Sequence, residues 1–480
     1  MKKIVLTSIA LCFGIVLMAQ NAFDALKYSE AYYQGTARSM AMGSAFGAVG
    51  ADFSALSINP AGMGLYRSSE YMFSPTLYSK RTESTYNDMY ADDSRTNFAL
   101  SNLGYVGTIP IKNSSIRYAQ FAMGMNRTND FNNRWLIQGM NPKHSKVDVY
   151  LDELANHPNS DDFWYNYPFD IYPLWETFVI DVNEEGQYIS PVPMGGILQE
   201  EFCTTWGSTN EWLFAGSVNV DDKFFFGATL GLPFVRSFYE STYSEYDEYN
   251  QHQDFDQWSM MEQIDTRGWG VNLKLGAIVQ PLDFIRIGAS FHTPTYFWLE
   301  ETYQTAVESY VYGKRYNKES DEEGDFDYTV TTPMRAIGSL AFIIGNSGII
   351  SADYEYVNYE TMRLRSEDYT FWSENRNIKN TFSSTSNIRV GTEWRIADWS
   401  IRGGYAFYGS PLGIDKSLLR TQQFSFGLGY TARNYNIDFA YIYGSKKQDY
   451  YLYNNGNYAT NLTNQDIISN SFVITTRFRF

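Results

Sequence analysis

From Ser69 onward, stretch after stretch of this chain alternates apolar with polar residues, and the connections between stretches are short and long in strict succession. About fourteen strands are read, near 69–79, 96–109, 115–127, 211–220, 223–240, 264–280, 283–301, 327–345, 348–364, 384–396, 399–408, 420–433, 435–449 and 466–480. The short connections are Pro110 to Ser114, Asp221-Asp222, Pro281-Leu282, Asn346-Ser347, Ala397-Asp398 and Asn434. The long ones are 80–95, 128–210, 241–263, 302–326, 365–383, 409–419 and 450–465. A soluble sandwich has no reason to sort its loops this way. A transmembrane barrel does, with tight turns on one side of the bilayer and long loops on the other. The expected fold is all-β: an antiparallel transmembrane β-barrel.

Parity within strands supports this. Phe224, Phe226, Ala228, Leu230 and Leu232 share one face, and Phe225, Gly227, Thr229 and Gly231 the other. Phe424, Phe426, Leu428 and Tyr430 likewise oppose Gln423, Ser425, Gly427 and Gly429. With a period of two, one face meets lipid and the other a lumen. Because only alternate residues are apolar, the mean hydropathy of −0.36 does not betray the membrane. The 39 Tyr, 33 Phe and 11 Trp suit girdles at the two interfaces. The inner face is rich in glycine: Gly227, Gly231, Gly270, Gly276, Gly288, Gly391, Gly404, Gly427 and Gly429. These glycines either let another backbone approach or merely ease sheet coiling.

Lys2-Lys3, an apolar run from Ile4 to Met18 and the small residue Ala19 form a signal peptide, residues 1–19. Its removal takes the formal charge from −17 to −19 and leaves Cys203 as the one cysteine, so no intrachain disulfide forms. An acidic total argues against nucleic acid as a partner. No serine carries glycine at both −2 and +2, so the hydrolase elbow is missing and no enzyme is expected.

Between the leader and the first strand lies Gly35 to Tyr66, a run of Ala, Gly, Ser and Met with Arg38 and Asp52 as its only charges. It is too small for a core of its own and suits a plug, residues 20–66, inside a barrel of residues 67–480. Gly35, Arg38, Gly43, Ala48, Asp52 and the run Asn59-Pro60-Ala61-Gly62 resemble the N-terminal hatch of the FadL/TodX outer-membrane transporters of hydrophobic compounds. Taken alone, Asn59-Pro60 is also an ordinary turn initiator. The resemblance implies a bacterial outer-membrane protein that passes fatty acids or similar lipophilic molecules inward by diffusion, without cofactor. It also implies sideways release through a kinked third strand. By count that strand is 115–127, and Gly124 in Ala122-Met123-Gly124 is the expected kink.

An apolar ligand path is expected along Met40, Met42, Phe46, Met63 and Leu65 of the hatch and Phe98, Leu100, Phe121 and Met123 of the early strands; ordinary packing would use the same residues. Inward parity also collects charges, including Lys274, Arg286, Arg335, Asp353, Glu355, Arg389, Glu393, Arg395, Arg402, Asp438, Arg477 and Arg479. These either anchor the hatch or grip an anionic head group. The final strand ends on Phe480, with Phe472, Ile474 and Phe478 in phase, and resembles the segment that barrels present to their assembly machinery. A monomer in outer-membrane lipid is expected. In the 128–210 loop, Val147 to Leu154 and Ile197 to Phe202 read as short helices. Related barrels also serve as scaffold subunits of a type IX secretion system or are labelled haemin receptors. The four histidines (144, 157, 252 and 292) show no metal spacing, and Glu319 to Asp327 departs from the known calcium-loop pattern.

Overall fold

The computed structural model describes residues 22–156 and 162–480, so the leader and His157 lie outside the described residues. Fourteen antiparallel strands close into a barrel. They are β1 Glu70–Tyr86, β2 Met89–Pro110, β3 Ile116–Asp130 (resumed as Asn133–Asn141), β4 Ile197–Val220, β5 Phe224–Tyr246 and β6 Phe255–Leu282. Next come β7 Ile285–His292 (resumed as Tyr296–Val311), β8 Gly324–Thr331 (resumed as Arg335–Ile344), β9 Gly348–Asn358 and β10 Ser384–Ile396. The last are β11 Trp399–Tyr408, β12 Thr421–Thr431, β13 Tyr435–Tyr450 and β14 Thr463–Arg479. Closure is by β1 on β14, from Glu70↔Arg479 to Thr85↔Asn464, which leaves no open edge in lipid.

The face assignments follow the parity of the sequence. Phe226, Leu230, Leu275, Phe291 and Phe426 are exposed outward, while Phe225, Thr229, Asn272, Lys274 and His292 are buried inside. Several strands run further than expected. Residues 80–95 are not a loop: β1 and β2 stay paired to Tyr86↔Met89 and turn through Asn87-Asp88, both at positive φ, as tight hairpins require. Here Arg81-Thr82-Glu83-Ser84 is polar on both faces, because this part of the wall stands clear of the apolar belt. β5 and β6 rise in the same way into the expected 241–263 loop. A short strand, Lys314–Glu319, folds back on β7 in the 302–326 connection.

The longest connection makes a cap. Ile197 to Phe202, expected as a helix, is the start of β4 and pairs with both Asn133–Asn141 and β5; its alternating side chains belong to a sheet. Three helices follow the strand extension: α4 Val147–Asn156, α5 Phe163–Asn166 and α6 Ile171–Glu176. They share a core with Tyr86, Trp258, Met260, Val307 and Tyr453. Glu245, fully buried, clamps this cap to the wall. It accepts from Trp258 Nε1 at 2.7 Å, Tyr243 OH at 2.6 Å, Gln199 Nε2 at 2.9 Å and Lys146 N at 2.8 Å. A helix α7, Trp372–Thr381, sits in the 365–383 connection.

The lumen is filled by the chain's own beginning. Helix α1, Ala22–Ser29, lies at the loop end, against Phe131, Phe297, Tyr328, Tyr359 and Phe382. The chain then descends through two short helices, α2 Ala37–Ala41 and α3 Ala55–Ile58, to a 3-10 turn, Pro60–Leu65, beside Phe225 and Val218 at the turn end.

Candidate functional site

Why this segment fits is written in glycine. A Cβ on Gly391 would stand 2.2 Å from the Met42 carbonyl, and one on Gly404 would stand 2.1 Å from Gly43 N. Gly227 faces Pro60, Gly276 faces Asn59, Gly288 faces Gly47, and Gly427 faces Ala41. Six of the nine inward glycines therefore mark backbone contact with the segment. The other three face wall side chains: Gly231 meets Glu211 and Lys274, Gly270 meets Phe297, and Gly429 meets Arg402.

Polar contacts hold the segment in place. Arg38 forks onto Glu393 (Nε to Oε2 2.8 Å, Nη2 to Oε1 3.3 Å) and reaches the Ala51 carbonyl at 3.2 Å. Glu393 also accepts from Arg402 at 2.7 Å, and Arg402 and Arg477 share Asp438, each at 2.7 Å. Alternating charge in this buried cluster lets each ion offset the desolvation of the next. On the loop side, Glu355 takes Arg335 at 2.5 Å and Arg389 at 2.7 Å. Arg335 also binds the Ser29 carbonyl, Arg389 lies 4.6 Å from the Tyr33 ring centre, and Asp353 accepts from Gly47 N at 3.1 Å.

Asn59 joins segment to wall: its Nδ2 donates to Gly47 O at 2.7 Å and Ala277 O at 3.3 Å, while its Oδ1 accepts from Ala61 N at 3.2 Å. Pro60 opens the 3-10 turn, and Gly62 lies against Gly50. Asp52 works within the segment, accepting from Thr36 Oγ1 at 2.7 Å and Ser54 N at 3.0 Å. His292 donates through Nε2 to the Ile58 carbonyl at 2.9 Å. Lys274 pairs with Glu211, and Arg286 donates to Gln280 and to the Val49 carbonyl.

Two openings flank the segment. On the loop side a 340 Å³ cavity is walled by Phe23, Leu26, Phe131, Leu419 and Ile467 and by Lys80, Arg95, Lys446, Glu30 and Asp130. Lys446 lies 3.4 Å from Glu30 and Lys80 3.8 Å from Asp130. Through shared walls at Tyr32, Gln34 and Tyr78 it narrows into a 40 Å³ chamber floored by Met40 and Gly43. On the turn side a second cavity, of 580 Å³, meets Arg38, Val49, Leu65 and a ring of arginines.

The expected ligand path divides accordingly. Met40 lines the upper chamber and Leu65 the lower cavity. Met42, Phe46 and Met63 are sealed in packing, Phe46 under the Arg38 guanidinium at 5.2 Å. Phe98, Phe121 and Met123 do not face the lumen: they are exposed on the outer face, with Leu100 in phase with Phe98. Their inward neighbours are Ala99, Gln120, Ala122 and Gly124. Phe121 joins Tyr105, Tyr71 and Phe480 in an outward aromatic group across the closing seam.

Gly124 is not a kink. The ladder runs unbroken through Tyr105↔Met123, Gly104↔Gly124 and Leu103↔Met125, and through Gly124↔Leu213 on the other side. A Cβ here would meet the Phe53 ring at 2.6 Å, as it would on Gly104 at 2.4 Å, so the two glycines seat a segment side chain. The interruption of β3 comes later. Register shifts between Arg127 and Asn129, the strand breaks at 131–132, and Gly207 opposite has φ +121°. Pairing of β2 with β3 ends at Asn102↔Asn126, so the two strands part at the level of the upper cavity, whose walls include Arg95, Asn129 and Asn132. Nothing in the sequence marked this place, because Asn and Asp there read as loop.

No family model matches the chain, and no curated protein matches it in sequence. Solved structures do match in fold. The toluene transporter TodX of P. putida aligns at TM-score 0.55 and 14% identity, over 93% of this chain and 99% of that one. The fold is that of the FadL/TodX barrels. A Pseudomonas aeruginosa FadL homologue aligns at TM-score 0.58 and 13% identity, over 93% and 98% of the two chains. The Ralstonia pickettii toluene transporter TbuX aligns at TM-score 0.51 and 16% identity, over 93% and 99%. A FadL/TodX-type barrel keeps its architecture here with few side chains in common, so the site rests on this chain's own residues.

Proposed function

We propose that this chain is a bacterial outer-membrane channel, a member of the FadL/TodX family, through which lipophilic small molecules diffuse inward past the N-terminal segment. The observation that carries the reading is the loop-side cavity: apolar walls with a cationic rim, tapering to Met40, beside the place where β2 and β3 part. An oily body would lie on Phe23, Leu26 and Ile467, while Lys80, Arg95 and Lys446 favour an anionic head, as a fatty acid has. Release is sideways, between Ser94–Ser101 of β2 and Arg127–Asn132 of β3, into the bilayer. No energy source or cofactor takes part.

Uptake of radiolabelled toluene and dodecanoate by cells expressing the protein tests this. Met40→Trp, which fills the 40 Å³ upper chamber, should cut uptake of both about tenfold or more. Lys80→Ala with Lys446→Ala should weaken dodecanoate while sparing toluene. Unchanged uptake of both in all variants would overturn transport and favour a scaffold role for the cap, where Trp164 and Tyr165 stand exposed.

A further inference from the structure

The turn-side cavity is a different kind of place from the one above. Seven arginines line it. The carboxylates beside them number six: Glu393, Asp398, Asp438, Glu70, Asp222 and Asp52. Arg38 and Arg402 share Glu393, Arg477 takes Asp438, Arg67 takes Asp222, Arg395 takes Glu393, and Arg479 takes Glu70. The guanidinium left over is Arg286. It is half-buried, and its hydrogen bonds go to neutral groups, Gln280 Oε1 at 3.1 Å and Val49 O at 2.9 Å. The charges bearing on it are Arg38 and Arg67, both cations. Its Nη2 has no partner among the described residues. Across the cavity, Arg477 is 3% exposed, and its Nε is buried without a hydrogen bond.

A cation shielded from water beside like charges is costly unless something negative joins it. Guanidinium forks match oxyanions in geometry as well as charge. The cavity also offers apolar wall from Val49, Leu65, Ile343 and Ile349. From these features we infer that it is a binding site for an oxyanion, a carboxylate or a phosphate, reached from the turn side and held by Arg286 with help from Arg477. The site adjoins Val49–Ala51 of the lumen segment, so an occupant touches plug and wall at once. This inference stands apart from transport, since it needs neither the upper cavity nor passage.

The test is calorimetric titration of the purified full chain in nonionic detergent with inorganic phosphate and, separately, with octanoate. At least one should bind one-to-one, and Arg286→Gln should weaken that binding about tenfold or more. Arg286→Lys should recover part of it. Phosphate binding alone would assign a free anion or phosphorylated head group; octanoate binding alone would assign a carboxylate amphiphile. Because octanoate could also occupy the upper cavity, it is titrated too against Lys80→Ala with Lys446→Ala, which should leave the turn-side event intact. In the unsubstituted protein, the bound anion should slow phenylglyoxal modification of Arg286 several-fold, read by peptide mass. Binding of neither anion, equal binding by Arg286→Gln, or Arg286 modification indifferent to both would overturn the inference.

Discussion

Glu393 shows what one carboxylate can hold. It is 1% exposed and receives Arg38 from the plug and Arg402 and Arg395 from the wall. Glu393→Gln strands the buried Arg38 guanidinium, leaves Arg402 with Asp438 alone, and should cost about 3–5 kcal/mol of plug docking. The expected readout is a lower midpoint for the heat-dependent gel shift, together with protease access near Arg38. Arg38→Met in the same background should restore part of the loss, since the stranded charge goes with it. The glycines give a sharper pair. Gly391→Ala drives a methyl into the Met42 backbone, whereas Gly338 has nothing within 4 Å of its added Cβ. The first change should loosen the plug and the second should leave it unaltered, as hydrogen exchange over residues 37–47 would report. Charges at inward parity were visible from alternation alone, but their partners were not, because Arg38 and Glu393 are 355 positions apart. Phe98, Leu100, Phe121 and Met123 were misplaced by residue type. Their own parity, with Ala122 and Gly124 inward, sends them to the lipid side.

At the scale of elements, strands inside the apolar belt were legible because one face must be greasy and the other wet. Above the belt both faces are wet, the period fades, and β1, β2, β5 and β6 looked shorter than they are. The interruption of β3 was hidden because its Asn and Asp residues, 129 to 133, read as loop, and a glycine that seats Phe53 looked like the bend. The cap has a pH signature of its own. Burial pushes the Asp170 carboxyl, at the start of α6, up to about 6, while its oxygen accepts from Ile171 N. When the cap is open the group ionises nearer the ordinary value of about 4, so the folded cap keeps a proton that the open cap releases. Cap stability is therefore full below that ordinary value and declines as pH rises through 6. Asp170→Asn keeps an acceptor without the charge. It should raise protease resistance of the cap at neutral pH and flatten the pH dependence; a profile unchanged by the substitution would refute the assignment.

For the molecule as a whole, wall and plug are one fitted object. Replacing residues 22–66 with a short flexible linker should leave an open, water-filled barrel. Planar-bilayer recordings should then show steady ion conductance where the intact protein shows little, and small sugars should leak into vesicles. Silence in both assays would mean that the segment does not seal the lumen. One consequence follows from where the segment starts and stops. Its first helix lies among the outer loops at Phe131, Tyr359 and Phe382, while the first strand begins at Glu70 beside the turns. The polypeptide thus crosses the full height of the cylinder before contributing a single stave to it. Glu70 on β1 meets Arg479 on β14, so the seam closes around the segment. If the tail is drawn in before the seam joins, the segment never has to thread a closed ring. A bulky folded tag fused ahead of Ala22 would have to be carried through the hole before the join, and should stall the protein as an unsealed sheet.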